Sequence, residues 1–139
     1  DLDPYVFITI AMELDPEIYA TVVIWITDGL VKNSNIAGDT YIKMSGDIRY
    51  LLGDNITNDD FKIYISRIAK GINYVVFGKH EEGIRNYASI TQMQEIIMIQ
   101  GYISDMIESG IVSNFDGIIN YLGMKWKKRW GSKNPVIDN

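Results

Sequence analysis

The sequence has no cysteine, one histidine and three prolines. Without cysteine it can form neither a disulfide nor a thiolate metal site, which suits a reducing cytoplasm. A single histidine cannot supply the two-histidine pair of many metal sites. The longest apolar runs, such as residues 22–26, are interrupted by charge well before the ~20 residues that a membrane span needs. We therefore expect a cytoplasmic protein without a metal or a membrane segment.

Sequence signals for catalysis and for export are also missing. Neighbouring carboxylates occur at 59–60 and at 81–82, but adjacent side chains do not face each other across a cleft. We interpret them as helix-cap or turn residues. No glycine-rich loop matches a phosphate-binding fingerprint, and no basic stretch precedes an apolar run as in a signal peptide. We predict that the chain is not an enzyme, has no catalytic residue and needs no cofactor.

The charge is unevenly distributed along the chain. The net charge is −5, yet the first 60 residues hold eleven acidic and three basic side chains, and the rest hold seven acidic and ten basic ones. Five of those ten basic residues lie between 125 and 133. Nucleic-acid affinity comes largely from clustered lysine and arginine. An acidic chain is thus a poor non-specific binder, but a local patch can still contact phosphate.

The apolar residues recur every three or four positions, which indicates helices. Asp15-Pro16, Ser89 with Gln92, and Asn114 are helix N-cap signals, and Gly110 is expected to end a helix with Ile111 packing back on it. We predict an all-α fold, a single compact bundle of about six helices. The predicted inward residues include Ile18, Val22, Ile26, Leu30; Tyr41, Met44, Ile48; Phe61, Ile65, Ile68, Ile72, Val75; Met93, Ile96, Ile97, Ile103, Ile107; and Phe115, Ile118, Ile119, Leu122, Trp126.

Two segments leave alternatives open. Residues 5–12 are rich in β-branched side chains, which suits a strand, but the Asp3-Pro4 start favours a short buried helix. The second helix is expected to end near 32–34 and the third to begin near Tyr41. Residues 131–139 are predicted to be a loose tail. The chain opens on Asp1 rather than Met, so we expect it to be part of a longer protein.

Three blocks of the sequence are similar to the KilA-N family of phages, phage-derived bacterial loci and large DNA viruses. The first is Leu2-Asp3-Pro4-Tyr5-Val6-Phe7-Ile8-Thr9-Ile10-Ala11-Met12 with Pro16-Glu17-Ile18. The second is Trp25-Ile26-Thr27-Asp28-Gly29-Leu30 with Ala37-Gly38-Asp39-Thr40-Tyr41. The third, the most specific, is Gly71-Ile72-Asn73-Tyr74-Val75-Val76-Phe77-Gly78-Lys79-His80-Glu81 with Gly83-Ile84-Arg85.

The resemblance implies a phage-type regulatory protein that is associated with nucleic acid. Residues 1–36 resemble the C-terminal helices of a KilA-N domain, and residues 37–130 the helical region that follows it. Asp3 stands where the family usually has histidine, and the family's N-terminal strand-bearing part has no counterpart in this chain. The resemblance therefore implies DNA binding, or else an antirepressor-like module that binds another regulatory protein or a second copy of itself.

Nine residues are the predicted contacts for DNA or a partner protein. They are Lys125, Lys127, Lys128, Arg129, Trp130 and Lys133 in the basic segment, and Lys79, His80 and Arg85 after the predicted helix that contains Phe61 to Val75. The alternative for the basic segment is that cations at a helix C-terminus interact favourably with the helix dipole and need no ligand. Trp130 either stacks on a ligand or packs on the protein. For His80 and Arg85 the alternative is a polar knot, in which Asn73 and His80 hydrogen-bond the backbone where the preceding helix ends. In it, Arg85 pairs with an acidic neighbour such as Asp39 or Glu81.

Overall fold

The computed structural model describes residues 16–131 and 135–138, with side chains for 32–131, 135 and 136. Within these ranges all regular structure is helical, as predicted. The predicted count of about six helices is not confirmed, because the described ranges contain four long helices and residues 5–12 lie outside them. The elements are α1 (Pro16–Leu52), α2 (Asn58–Phe77), a 3-10 turn (Ile84–Tyr87), α3 (Ile90–Glu108), α4 (Phe115–Trp130) and the single turn α5 (Pro135–Asp138).

Helix α1 is continuous where the sequence predicted two helices and a link. Gly38 in a helix interior costs ~1 kcal/mol relative to alanine. The buried residues Ala37, Met44 and Ile48 nevertheless follow one helical stripe across the predicted break. Burial of that stripe outweighs the local preference for a break. The predicted boundary after residue 36 therefore falls inside a helix.

The helices pack as two pairs around one core. α1 lies mainly against α3, and α2 mainly against α4. Full burial of a leucine or isoleucine side chain stabilises a fold by about 1.5–3 kcal/mol, so these apolar stripes provide most of the driving force. The largest fully buried apolar side chains are Met44, Ile48, Ile68, Ile72, Val75, Ile96, Ile99, Ile103, Ile118 and Leu122.

The helix ends largely follow their predicted caps. The Ser89 hydroxyl accepts from the Gln92 amide at 3.1 Å and Gln92 accepts from the Ser89 amide at 2.9 Å, so the capping box is confirmed. Asn114 caps α4, also as predicted. Gly110 is left-handed, but Ile111 is 69% exposed and does not pack back. Val112 does so instead: its side chain packs against the core, and its amide donates to the Met106 carbonyl at 3.2 Å.

The segment predicted as a loose tail is helical at Pro135–Asp138. Val136 there is buried and packs beside Gly71 of α2 and Leu122 of α4. The prediction is thus wrong for this turn. None of the helices in the described part of the chain has the length and apolarity to cross a membrane.

Candidate functional site

Helix α2 is capped at its carboxyl end by Gly78, which lies in the third and most specific block of the KilA-N resemblance. Gly78 has φ 75° and its amide bonds the Tyr74 carbonyl at 2.8 Å. A side chain here would clash, because a Cβ atom would lie 2.9 Å from the Trp130 ring. Glycine is therefore needed both for its backbone conformation and for the approach of α4. The chain turns sharply and brings His80 and Arg85 back over α2.

A buried polar network joins this turn to the helices. Arg85 Nε donates to Asn73 Oδ1 at 2.7 Å, and Arg85 Nη1 donates to Gln100 Oε1 at 3.3 Å. Arg85 Nη2 also donates to the Ala69 carbonyl at 3.4 Å. Asn73 is 6% exposed and Gln100 is fully buried. We call Asn73, His80, Arg85 and Gln100 the polar network.

Gln100 extends the polar network to α1. Its Nε2 donates to the Ala37 carbonyl at 2.9 Å and to Thr40 Oγ1 at 2.7 Å. One side chain of α3 thereby connects α1 with Arg85 of the 3-10 turn. Buried polar groups left unpaired cost about 1–3 kcal/mol each, so this connection selects one relative position of the two helices.

The polar network also determines which nitrogen of His80 carries the proton. Arg85 can only donate, so the Asn73 oxygen must face it and the Asn73 amide nitrogen must face His80. That nitrogen lies 3.1 Å from His80 Nδ1. His80 Nδ1 therefore accepts, and the neutral ring carries its proton on Nε2. Arg85 thus sets the tautomer of His80 by fixing the orientation of the Asn73 amide.

The predicted polar knot is present, but its partners differ from those expected. His80 bonds the Asn73 side chain rather than the backbone. Within the described residues Arg85 forms no ion pair, so its predicted pairing with Asp39 or Glu81 is wrong; Glu81 pairs with Lys79 at 2.9 Å. Burial lowers the pKa of the Arg85 guanidinium, an effect that the nearby Tyr41 opposes.

An open pocket of about 440 Å³ adjoins the polar network. His80 and Arg85 line it together with Asn73 and with Ser66 and Lys70 of α2. Glu81 and Glu82 stand in the same lining. The arrangement places donor-bearing side chains of five residue types (serine, lysine, asparagine, histidine and arginine) around one cavity.

At the end of α4, two of the predicted contact residues are engaged within the protein. Arg129 donates to both carboxylate oxygens of Glu95, at 2.6 Å to Oε1, and to the Val75 carbonyl at 3.0 Å. This hydrogen bonding raises the pKa of the Arg129 guanidinium. Trp130 Nε1 donates to the same Val75 carbonyl at 2.9 Å. Both side chains thus cover the carboxyl end of α2.

The described lysines of the basic segment lie at or near the surface. Lys127 and Lys128 are exposed and form no ion pair among the described residues. The half-buried Lys125 lies over the Tyr121 ring, 5.8 Å from its centre. Lys133 lies outside the described residues. Of the predicted contact residues, four form hydrogen bonds within the protein: His80, Arg85, Arg129 and Trp130. Lys79 forms an ion pair with Glu81.

An apolar groove between α3 and α4 was not predicted. It has a volume of about 570 Å³ and runs beside Met98, Tyr102, Tyr121 and Lys125, with Asp105 in its wall. Met98 is 67% exposed and Tyr102 is 48% exposed. The Tyr102 and Tyr121 rings contact each other with centres 5.1 Å apart. We call this feature the α3–α4 groove.

Sequence reasoning also missed Gln100 and Glu95, which hold Arg85 and Arg129. For Gln100 a signal existed, because it lies four residues after Ile96 and three before Ile103 on an apolar stripe. A polar residue at such a position needs a buried partner. Glu95 gives no such signal, since an acidic residue on a helix surface is ordinary.

No protein-family model matches this chain, and no curated protein or solved structure matches it. The KilA-N resemblance therefore stays a prediction. In the described part of the chain, no group of histidine, aspartate and glutamate side chains is placed to hold a metal ion.

Proposed function

We propose that this chain is a protein-interaction module that self-associates through the α3–α4 groove. The observation that carries the proposal is the exposure of Met98 and Tyr102 beside that groove. Exposed apolar side chains scattered singly are ordinary, but those grouped along a concave surface mark interaction sites. Methionine suits such a surface because its flexible thioether adapts to different contacts.

The charges of the groove favour a second copy as the occupant. Asp105 of α3 and Lys125 of α4 both line it. In a twofold-symmetric dimer each surface meets its own copy, so Asp105 of one chain can approach Lys125 of the other. Opposite charges on one self-associating surface are complementary, whereas a uniformly basic surface would repel its copy.

Charge reversal tests this proposal directly. We expect the chain to associate in a concentration-dependent way in sedimentation velocity experiments, and Met98→Glu to abolish the association. Lys125→Glu should weaken it, and the double variant Asp105→Lys/Lys125→Glu should restore it because the pairing is reversed. Ile63→Glu replaces an exposed apolar residue of α2 and should have no effect. A parent chain that stays monomeric at every concentration would refute the proposal.

A second candidate function is nucleic-acid binding by a KilA-N-type regulator. The observation in its favour is the exposure of Lys127 and Lys128 at the end of α4, close to Lys125. Phosphate contacts by such residues depend strongly on salt. Duplex DNA titrated at two salt concentrations should then bind more weakly at the higher one. Replacing Lys125, Lys127 and Lys128 together by glutamine should remove the binding; equal binding by parent and triple variant would exclude this role.

A further inference from the structure

Arg85 is a charged side chain whose hydrogen-bond partners among the described residues are all neutral. Its three recorded acceptors are the Asn73 and Gln100 amide oxygens and the Ala69 carbonyl. A guanidinium group has five N–H donors, so these three bonds leave donor capacity unused. Removing a charge from water without an opposite charge is costly. The lowered pKa of Arg85 has this cause.

The pocket of about 440 Å³ beside Arg85 contains the donor groups of an anion site, together with the carboxylates Glu81 and Glu82. Lys70 adds a second positive charge and Ser66 a hydroxyl donor. His80 adds the Nε2–H that its hydrogen bond with Asn73 leaves on that nitrogen. Ala69 and Ile84 supply apolar wall. The volume falls in the range of pockets that hold small organic molecules, roughly 300–1,000 Å³.

We propose that this pocket binds a small organic anion, whose phosphate or carboxylate group lies between Arg85 and Lys70. The bound oxyanion supplies a directly contacting negative charge to Arg85, which has no ion pair among the described residues. Its remaining part lies against Ala69 and Ile84. This site is separate from the α3–α4 groove and does not depend on self-association.

Two carboxylates at the pocket affect how strongly it should bind an anion. Glu81 is engaged by Lys79 at 2.9 Å, so its charge is partly balanced. Glu82 is exposed, lines the pocket and has no ion pair among the described residues. It should repel an incoming anion, and Glu82→Gln should therefore tighten anion binding.

Inorganic phosphate and acetate, each titrated against chloride of equal ionic strength, serve as separate probes. We expect one of them to produce saturable NMR shifts of the Arg85 Nε–H and of the Ser66, Lys70 and Gly83 amides. Saturation by phosphate alone identifies a phosphate group, and saturation by acetate alone identifies a carboxylate. Either result supports the site.

Two lysine variants keep the test independent of folding. Lys70→Gln should raise the dissociation constant about fivefold, which corresponds to a loss of ~1 kcal/mol in binding free energy. Lys62→Gln changes an exposed lysine on the same helix, outside the pocket, and should leave it unchanged. The proposal is overturned if neither probe shifts the pocket signals, or if both variants weaken binding equally, as for non-specific attraction to surface charge.

Discussion

The polar network and the lysines of the basic segment both group polar side chains, but they lie in different environments. Asn73 and Gln100 are buried, and their side chains are bonded to Arg85. Lys127 and Lys128 are exposed and form no ion pair in the described ranges. A buried polar group must find a partner inside the protein, whereas an exposed one is satisfied by water. The first region therefore bears on stability, and the second is available for contact.

The largest effect is expected from Gln100→Leu. This change removes three hydrogen bonds, those of Gln100 with the Ala37 carbonyl, with Thr40 and with Arg85. At about 1 kcal/mol each, their loss should lower the free energy of unfolding by about 3 kcal/mol. Urea unfolding followed by circular dichroism measures it. Gln94→Leu changes an exposed glutamine of the same helix and should shift stability by less than ~0.5 kcal/mol. Equal midpoints for the two variants would show that the network does not hold the helices.

The contact between α2 and α4 is tested by a pair of glycine variants. Gly78→Ala forces a side chain into a left-handed conformation and against the Trp130 ring; we expect a loss of about 2 kcal/mol. Gly53 is also left-handed, but a Cβ atom there meets nothing within 4 Å. Gly53→Ala should thus lose only about 1 kcal/mol. Comparing the thermal unfolding of the two variants gives the contribution of the Trp130 contact to stability. Equal losses would show that this contact contributes nothing.

Within the basic segment, Arg129 and Lys127 should behave differently. Arg129→Gln removes the paired hydrogen bonds to Glu95, and we expect a loss of about 1 kcal/mol in the free energy of unfolding. Lys127→Gln should have no measurable effect on stability. Chemical denaturation of the two variants tests whether Arg129 stabilises the fold while Lys127 does not. If Arg129→Gln is as stable as the parent, Arg129 belongs with the lysines.

The smallest effect concerns the alkaline limit of stability. Burial, with Tyr102 and Glu95 nearby, raises the pKa of Tyr121 to about 12, above its ordinary value of about 10. The unfolded chain thus releases this proton first, so the stabilisation from Tyr121 is complete below pH ~10 and is lost as pH rises towards 12. Tyr121→Phe should show a shallower decline over that range. Identical pH profiles of stability for the two proteins would contradict the assignment.

Part of the candidate site could be predicted from the sequence. Asn73, His80 and Arg85 lie within thirteen positions of one another, around a glycine that ends a helix, and their association follows from the turn. The acceptors of Arg85 could not be predicted in the same way. An acidic neighbour was expected from charge alone, but the fold places the buried amide of Gln100 there. The groove was unpredictable because it needs the relative placement of α3 and α4.

The features that depend on residues three or four positions apart follow from the amino-acid sequence alone. These are the apolar stripes, the Ser89 capping box and the Asn114 cap, whose energies come from local geometry. The pairing of the polar groups depends instead on how the helices pack. Arg129 meets Glu95 across 34 positions, and Gln100 meets the Ala37 carbonyl across 63. Such contacts form only after burial of the apolar stripes has set how the helices pack, and the same burial makes α1 one helix through Gly38.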